Sequence, residues 1–121
     1  MNLLVEEVND IKVLRVKEER IDSEKAPDLK AQLLVLTKEE GCKVIVDLSQ
    51  TNYIDSSGLG ALLLGLRQAR DADGEFALVG AQNRVKSLLK IAQLDNVLSN
   101  FENEFDALKS FNNKEKAQAE G

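Results

Sequence analysis

The stretch that decides the fold is VIVDLSQTNYIDSSGLGALLLGL, residues 44–66. Its opening residues are mostly β-branched and apolar, a pattern typical of a strand that is buried on both faces and therefore central in a sheet. Its second half carries a helical stripe: Leu59, Leu62, Leu63 and Leu66, continued by Ala69. We therefore predict a central strand at residues 44–48, a loop, and a helix that begins close to Ser57.

Toward the N-terminus, two β-rich segments at residues 3–8 and 11–16 flank an Asn-Asp pair that suits a tight hairpin turn. Pro27 suits the first turn of a helix, where its missing N–H is not needed. The apolar residues of that helix are Leu29, Leu33 and Leu36. Gly41 is predicted to end it as a C-terminal cap.

Toward the C-terminus, an Asp-Gly turn leads into a strand at residues 76–79, and Asn83 is predicted to cap a third helix. A last strand is predicted at residues 97–101, followed by a final helix. The apolar residues of these two helices are Val85, Leu88, Leu89 and Ala92, then Phe105, Leu108 and Phe111.

This alternation predicts an α/β fold with a small mixed sheet, an N-terminal hairpin, and about four helices that pack mainly on one face. Strands separated by crossover helices are expected to pair in parallel from the second strand onward. We predict a single domain at residues 1–111. Residues 112–121 are mostly polar and are expected to form a flexible tail.

Composition excludes several functions. The chain has a net charge of −5 and therefore lacks the excess of basic residues that a nucleic-acid binder needs. It has no histidine, the usual general base and commonest metal ligand, and Cys42 is its single cysteine. No apolar run is long enough to span a bilayer, and no signal peptide precedes the first strand. We expect a cytoplasmic protein with no metal, cofactor, nucleic-acid or membrane contact.

Residues 55–60, DSSGLG, lie at the predicted turn from strand to helix. One interpretation is structural: Asp55 or Ser56 caps the helix, and Gly58 and Gly60 allow close backbone approach. Ser57 has no histidine to activate it as a nucleophile. An exposed hydroxyl at this place could instead be phosphorylated, which adds about −1.5 to −2 charge at neutral pH.

The motif, together with the strand before it, closely resembles the STAS domain of bacterial anti-sigma factor antagonists. The resemblance extends to Ile21-Asp22 and Ala26-Pro27, at the first junction of strand and helix, and covers roughly residues 3–111. It differs at Arg20 and Lys25, where the family usually has glycine and a small hydroxyl residue. These two side chains would place positive charge beside Asp22.

The resemblance implies a regulatory binding protein, not an enzyme. Ser57 would be phosphorylated by a partner that is both anti-sigma factor and serine kinase, with a histidine-kinase-like ATPase fold. The unphosphorylated form would bind that partner and release a sigma factor, and a serine/threonine phosphatase would reset the switch. The partner-binding residues would be Asp22, Asp55, Ser56, Ser57 and Gly58.

Several alternatives stay open. The chain could be a STAS scaffold or sensor module in a larger signalling or transporter-associated assembly, without direct sigma control. A small enzyme using Ser57 or Asp55 is disfavoured by the missing histidine. Ser56 could also be modified. Leu64 lies outside the centre of its helical stripe, and it could either fill the core or contact a partner.

Overall fold

The structure, a computed structural model, describes the backbone of residues 1–120 and the side chains of residues 1–112. Its strands are β1 (Leu3–Val8), β2 (Ile11–Val16), β3 (Arg20–Ile21), β4 (Lys43–Asp47), β5 (Tyr53–Ile54), β6 (Glu75–Val79) and β7 (Asn100–Phe101). Its helices are α1 (Ala26–Leu36), α2 (Ser56–Asp71), α3 (Asn83–Ile91) and α4 (Glu104–Glu120).

The main sheet has the order β1-β2-β4-β6-β7, so β4 is central, as predicted. Its first pair, β1 with β2, is antiparallel, and the pairs from β2 onward are parallel. The hairpin between β1 and β2 turns at Asn9 and Asp10, which both adopt positive φ angles. The predicted mixed sheet with an N-terminal hairpin is therefore confirmed.

The core lies on both faces of this sheet. Side chains along β4 alternate between the faces, so that Val44 and Val46 join one apolar cluster and Ile45 joins the other. The larger cluster is covered by α1, α2 and α3, and the smaller one by Ala107 and Phe111 of α4. Three of the four described helices thus share one face, as predicted.

A second, two-stranded sheet was not predicted. Its strands β3 and β5 pair in parallel, with Ile21 opposite Ile54. Each is only two residues long, and the two lie 33 positions apart in sequence. No hydrophobic periodicity can develop over two residues, so only the folded chain reveals this sheet.

Two predicted helix caps are wrong. The helix α1 ends at Leu36, because the backbone of its C-cap Thr37 leaves the helical region, with φ of −103° and ψ of 12°. The Thr37 N–H and hydroxyl both donate to the Leu33 carbonyl, at 3.0 and 2.7 Å. Gly41 instead turns the chain into β4 with a φ of +71°. At α3 the cap position belongs to Gln82, in extended conformation, and Asn83 is the first helical residue.

The predicted apolar faces hold with two exceptions: Ala92, which is exposed just past the end of α3, and Phe105 on α4. Phe105 is 72% exposed, and Ala107 and Phe111 cover the sheet in its place. The predicted domain end and tail concern residues 112–121, of which only the backbone to residue 120 and the Asn112 side chain are described. That boundary stays a prediction.

Candidate functional site

The small sheet holds the DSSGLG turn in place. Backbone N–H groups of Asn52 and Tyr53 donate to the Glu19 carbonyl, and the Asp55 N–H donates to the Ile21 carbonyl at 3.1 Å. Asp22 follows β3 and Asp55 follows β5, and the two strands are parallel neighbours. The two aspartates therefore lie at the same end of the molecule.

Asp55 is the N-cap of α2, which confirms the structural interpretation of this residue. Its Oδ1 accepts hydrogen bonds from the backbone N–H of Ser57 at 2.9 Å and of Gly58 at 3.1 Å. These N–H groups have no acceptor within the helix, so the carboxylate satisfies two donors that would otherwise need water. The helix begins at Ser56, close to Ser57 as predicted.

Asp22 stabilises the turn that leads into α1, although the N-cap of that helix is Lys25. Its Oδ1 accepts from the backbone N–H of Glu24 at 3.1 Å and of Lys25 at 3.2 Å, and its carbonyl accepts from Ala26. This turn brings the chain from β3 into α1. The two aspartates thus shape the two neighbouring junctions from strand to helix.

The two glycines of the motif differ in surroundings. A Cβ at Gly58 would lie 2.6 Å from the Ile54 side chain and 2.8 Å from that of Ile21, so this position admits only glycine without rearrangement. A Cβ at Gly60 would meet nothing within 4 Å. The expectation of close backbone approach is therefore right for Gly58 and wrong for Gly60, which faces open space.

Both serines of the motif are exposed to solvent. Ser56 is the first and Ser57 the second residue of α2, and Gly58 behind them is buried. The hydroxyls therefore stand on a part of the backbone that is fixed from below, by Asp55 and by the contact of Gly58 with β3 and β5. A group added to either hydroxyl would point away from the core.

Arg20 and Lys25, the two residues that differ from the family pattern, both interact with neighbouring side chains. The Arg20 guanidinium lies over the Tyr53 ring, 4.3 Å from its centroid, a distance that suits a cation–π contact. The Lys25 ammonium pairs with Glu18 at 3.0 Å. The backbone N–H of Asn2 and the Lys25 ammonium together hold the pKa of Glu18 below its usual value. These positive charges are thus engaged beside Asp22.

A groove of about 510 Å³ runs beside the motif, between α1 and α2. Its lining residues are Ser23, Ala26, Pro27 and Lys30 on one side, and Ser57, Gly60, Ala61 and Leu64 on the other. Leu64 is only half-buried and opens into this groove. The location favours the second of the two interpretations of Leu64, contact with a partner.

Sequence reasoning missed the α1 wall of the groove, which includes Pro27 and Lys30. The sequence predicts Pro27 at a helix start and at the junction that resembles the family, and Lys30 gives no signal, because its place in the groove depends on the approach of α2. The side chains of residues 1–112 contain no cluster of three or more potential metal ligands. Within the described chain, no helix is long and apolar enough to cross a membrane.

Comparison with known proteins agrees with this arrangement. A family model for the STAS domain matches residues 2–108. An anti-sigma-B factor antagonist of Listeria monocytogenes is 32% identical over 78 residues, which is 64% of this chain and 68% of that protein.

Two solved structures share the fold. A STAS-domain protein from Planctomyces limnophilus has a TM-score of 0.82 at 18% identity, covering 90% of this chain and 97% of its own. SpoIIAA of Bacillus, solved in its phosphorylated form, has a TM-score of 0.69 at 18% identity, covering 90% of this chain and 98% of its own. With a family model that matches nearly the whole described chain, these comparisons show that the chain belongs to the STAS-domain family.

Proposed function

We propose that this protein is an anti-sigma factor antagonist that is switched by phosphorylation of a serine in the DSSGLG motif. The observation that carries the proposal is the start of α2, where Asp55 and Gly58 fix the backbone while the Ser56 and Ser57 hydroxyls face solvent. A relative at 32% identity is named as an anti-sigma-B factor antagonist. The fold is shared with SpoIIAA, which exists in a phosphorylated form.

In this proposal the unphosphorylated protein binds an anti-sigma factor that is also a serine kinase, and a sigma factor is released. The protein acts in the cytoplasm as a binding protein, and a serine/threonine phosphatase returns it to the binding form. Asp22 and Asp55 position the two turns that face the partner, and Gly58 keeps α2 close to the small sheet.

The switch follows from charge. A phosphate adds a charge of about −1.5 to −2. Because the position is exposed, the phosphate stays hydrated in the free protein, and the fold is unaffected. In the complex the phosphate would be removed from water with no opposite charge to pair with, which costs on the order of 2–5 kcal/mol of binding free energy. That corresponds to roughly thirty-fold to several-thousand-fold weaker binding.

Ser57 is our first candidate for the acceptor, because it lines the groove beside α1. Ser56 is equally exposed, one residue closer to the start of the helix. The two serines are distinguished by single variants. We expect Ser57→Ala to abolish labelling by the kinase and ATP, and Ser56→Ala to be labelled like the wild type.

The decisive experiment measures the affinity of the kinase for the wild type, for Ser57→Asp and for Ser57→Ala, and locates the phosphate by mass spectrometry. We expect Ser57→Asp to bind at least thirty-fold more weakly while melting at the wild-type temperature. Phosphate found only on Ser56 would move the switch by one residue. A partner that binds all variants equally would favour a scaffold module without a phosphorylation switch.

A further inference from the structure

The groove between α1 and α2 is built to receive a side chain from outside. Its α2 wall has little covering, because Gly60 has no side chain and Ala61 only a methyl group, and Leu64 provides an apolar surface at the end. The apolar part of its α1 side consists of Ala26 and the exposed Pro27. An apolar side chain laid here would remove apolar surface from water, which favours binding.

Charge narrows the choice of occupant. The lining of the groove contains one cation, Lys30, and no carboxylate, in a chain whose net charge is −5. Lys30 is exposed, and within the described part of the chain its ammonium takes part in no ion pair. An incoming carboxylate would therefore find an unpaired cation at the rim, with no acidic lining residue to repel it.

We propose that this groove seats an apolar side chain of the binding partner, and that a carboxylate on the same partner segment pairs with Lys30. The proposal rests on the function proposed above and deepens it, because the groove is continuous with Ser57. The serine would then control a surface that is adjacent to it and that has its own specificity. Lys30 and the bare face at Gly60 would select the partner, and the charge on the serine would decide when it binds.

Gly60→Leu tests the apolar part of the proposal. A Cβ at this position meets nothing within 4 Å, so the added side chain can occupy the groove without disturbing the core. Glycine is a poor helix former, so the replacement does not weaken α2. The matched control is Asn112→Leu, which adds the same side chain at an exposed position on α4, across the sheet.

The probe is the protein that the wild-type chain captures from its native lysate, identified and then produced recombinantly. We expect Gly60→Leu to bind it at least ten-fold more weakly, with an undiminished melting temperature, and Asn112→Leu to bind like the wild type. Unchanged affinity in Gly60→Leu, or a wild type that captures no protein, would overturn the proposal.

Lys30→Glu tests the charged part. Its control is Lys38→Glu, an equal change of charge at an exposed position beyond the other end of α1. We expect Lys30→Glu to weaken binding by ten-fold or more at low salt, with a smaller effect at high salt, and Lys38→Glu to leave affinity within two-fold of the wild type. Equal effects of the two reversals would reduce the role of Lys30 to net charge and overturn the pairing.

The variants distinguish failure of the groove proposal from failure of the phosphorylation switch. If Ser57→Asp weakens binding and Gly60→Leu does not, the groove proposal is wrong and the switch stands. If Gly60→Leu and Lys30→Glu weaken binding and Ser57→Asp does not, the groove is the docking site of a partner that is controlled in another way.

Discussion

The two faces of the sheet are held together by different means. On the face covered by α1, α2 and α3, a large apolar cluster dominates, with a hydrogen bond from the Gln68 side chain of α2 to the Leu34 carbonyl of α1. The motif on this face is fixed by the close approach of Gly58 to β3 and β5. On the opposite face, α4 is held by a smaller apolar cluster and also by ion pairs around Arg15. The candidate site belongs entirely to the first face.

Arg15 connects three elements on the second face. Its guanidinium contacts Glu104 of α4 at 2.7 Å, Glu6 of β1 at 2.8 Å and Asp47 of β4 at 3.0 Å. Glu104 and Glu6 raise the pKa of the guanidinium above its ordinary value, so this cation stays charged at every accessible pH. We therefore expect that the anchoring of α4 and the positioning of the motif can be altered separately.

The largest effect is expected from Phe111→Ala on the α4 face. Phe111 is 2% exposed, and truncating a buried phenylalanine costs about 3–5 kcal/mol of stability. Phe105→Ala, a matched change on the same helix at a residue that is 72% exposed, is expected to stay within about 0.5 kcal/mol. Denaturant unfolding measures both.

Under conditions in which the Phe111→Ala variant is folded, we expect it to bind the partner with wild-type affinity, because the candidate site lies on the other face of the sheet. A loss of affinity in folded Phe111→Ala would show that the two faces are coupled.

An intermediate effect is expected from Gly58→Ala on the motif face. The new methyl group would lie 2.6 Å from Ile54 and 3.0 Å from the Ile21 carbonyl, and such overpacking costs about 1–3 kcal/mol. Gly60→Ala, two positions along the same helix, is expected to be neutral or to stabilise by up to about 1 kcal/mol. A lower free energy of unfolding than the wild type in Gly58→Ala, with none of this loss in Gly60→Ala, confirms the difference between the glycines, and equal destabilisation would contradict it.

The smallest effect concerns Glu18, whose pKa is lowered by the Asn2 N–H and by Lys25. Because the folded pKa lies below the unfolded one, this group stabilises the protein above its ordinary pKa of 4.5, and the contribution is lost as the pH falls through the folded pKa. Glu18→Gln is therefore expected to flatten the acid side of the stability profile. A series of melts against pH measures the slope, and an unchanged slope in Glu18→Gln would contradict the prediction.

Local pattern predicted the main sheet except for its last strand, which was predicted at residues 97–101 and spans only Asn100–Phe101. The bounds of β1 and β2 match the prediction, since alternating residues and an Asn-Asp turn act within a few positions. The centre of the sheet followed from the β-branched run at residues 44–48. By contrast, β3 and β5 arise only from long-range pairing, and α1 ends at Thr37, before it reaches Gly41.

Of the candidate site, only the residues of the DSSGLG motif could be predicted from the sequence. Asp55 as a cap could be inferred from its place before a helical stripe. The difference between Gly58 and Gly60 could not, because it depends on side chains of β3 and β5 behind the helix. Lys30 and Arg15 were missed for the same reason: each has meaning only through elements that are distant in sequence.

The position of α4 also has a consequence for biosynthesis. Every strand of the sheet leaves the ribosome before this helix, so the nascent sheet presents Ile11, Ile45 and Val79 uncovered on one side while the motif face can already close. Such a half-covered sheet is the kind of intermediate that aggregates or recruits chaperones. Synthesis of α4 is therefore the step that ends this vulnerable period, and Glu104, next to the uncovered Arg15, is the first part of the helix to arrive.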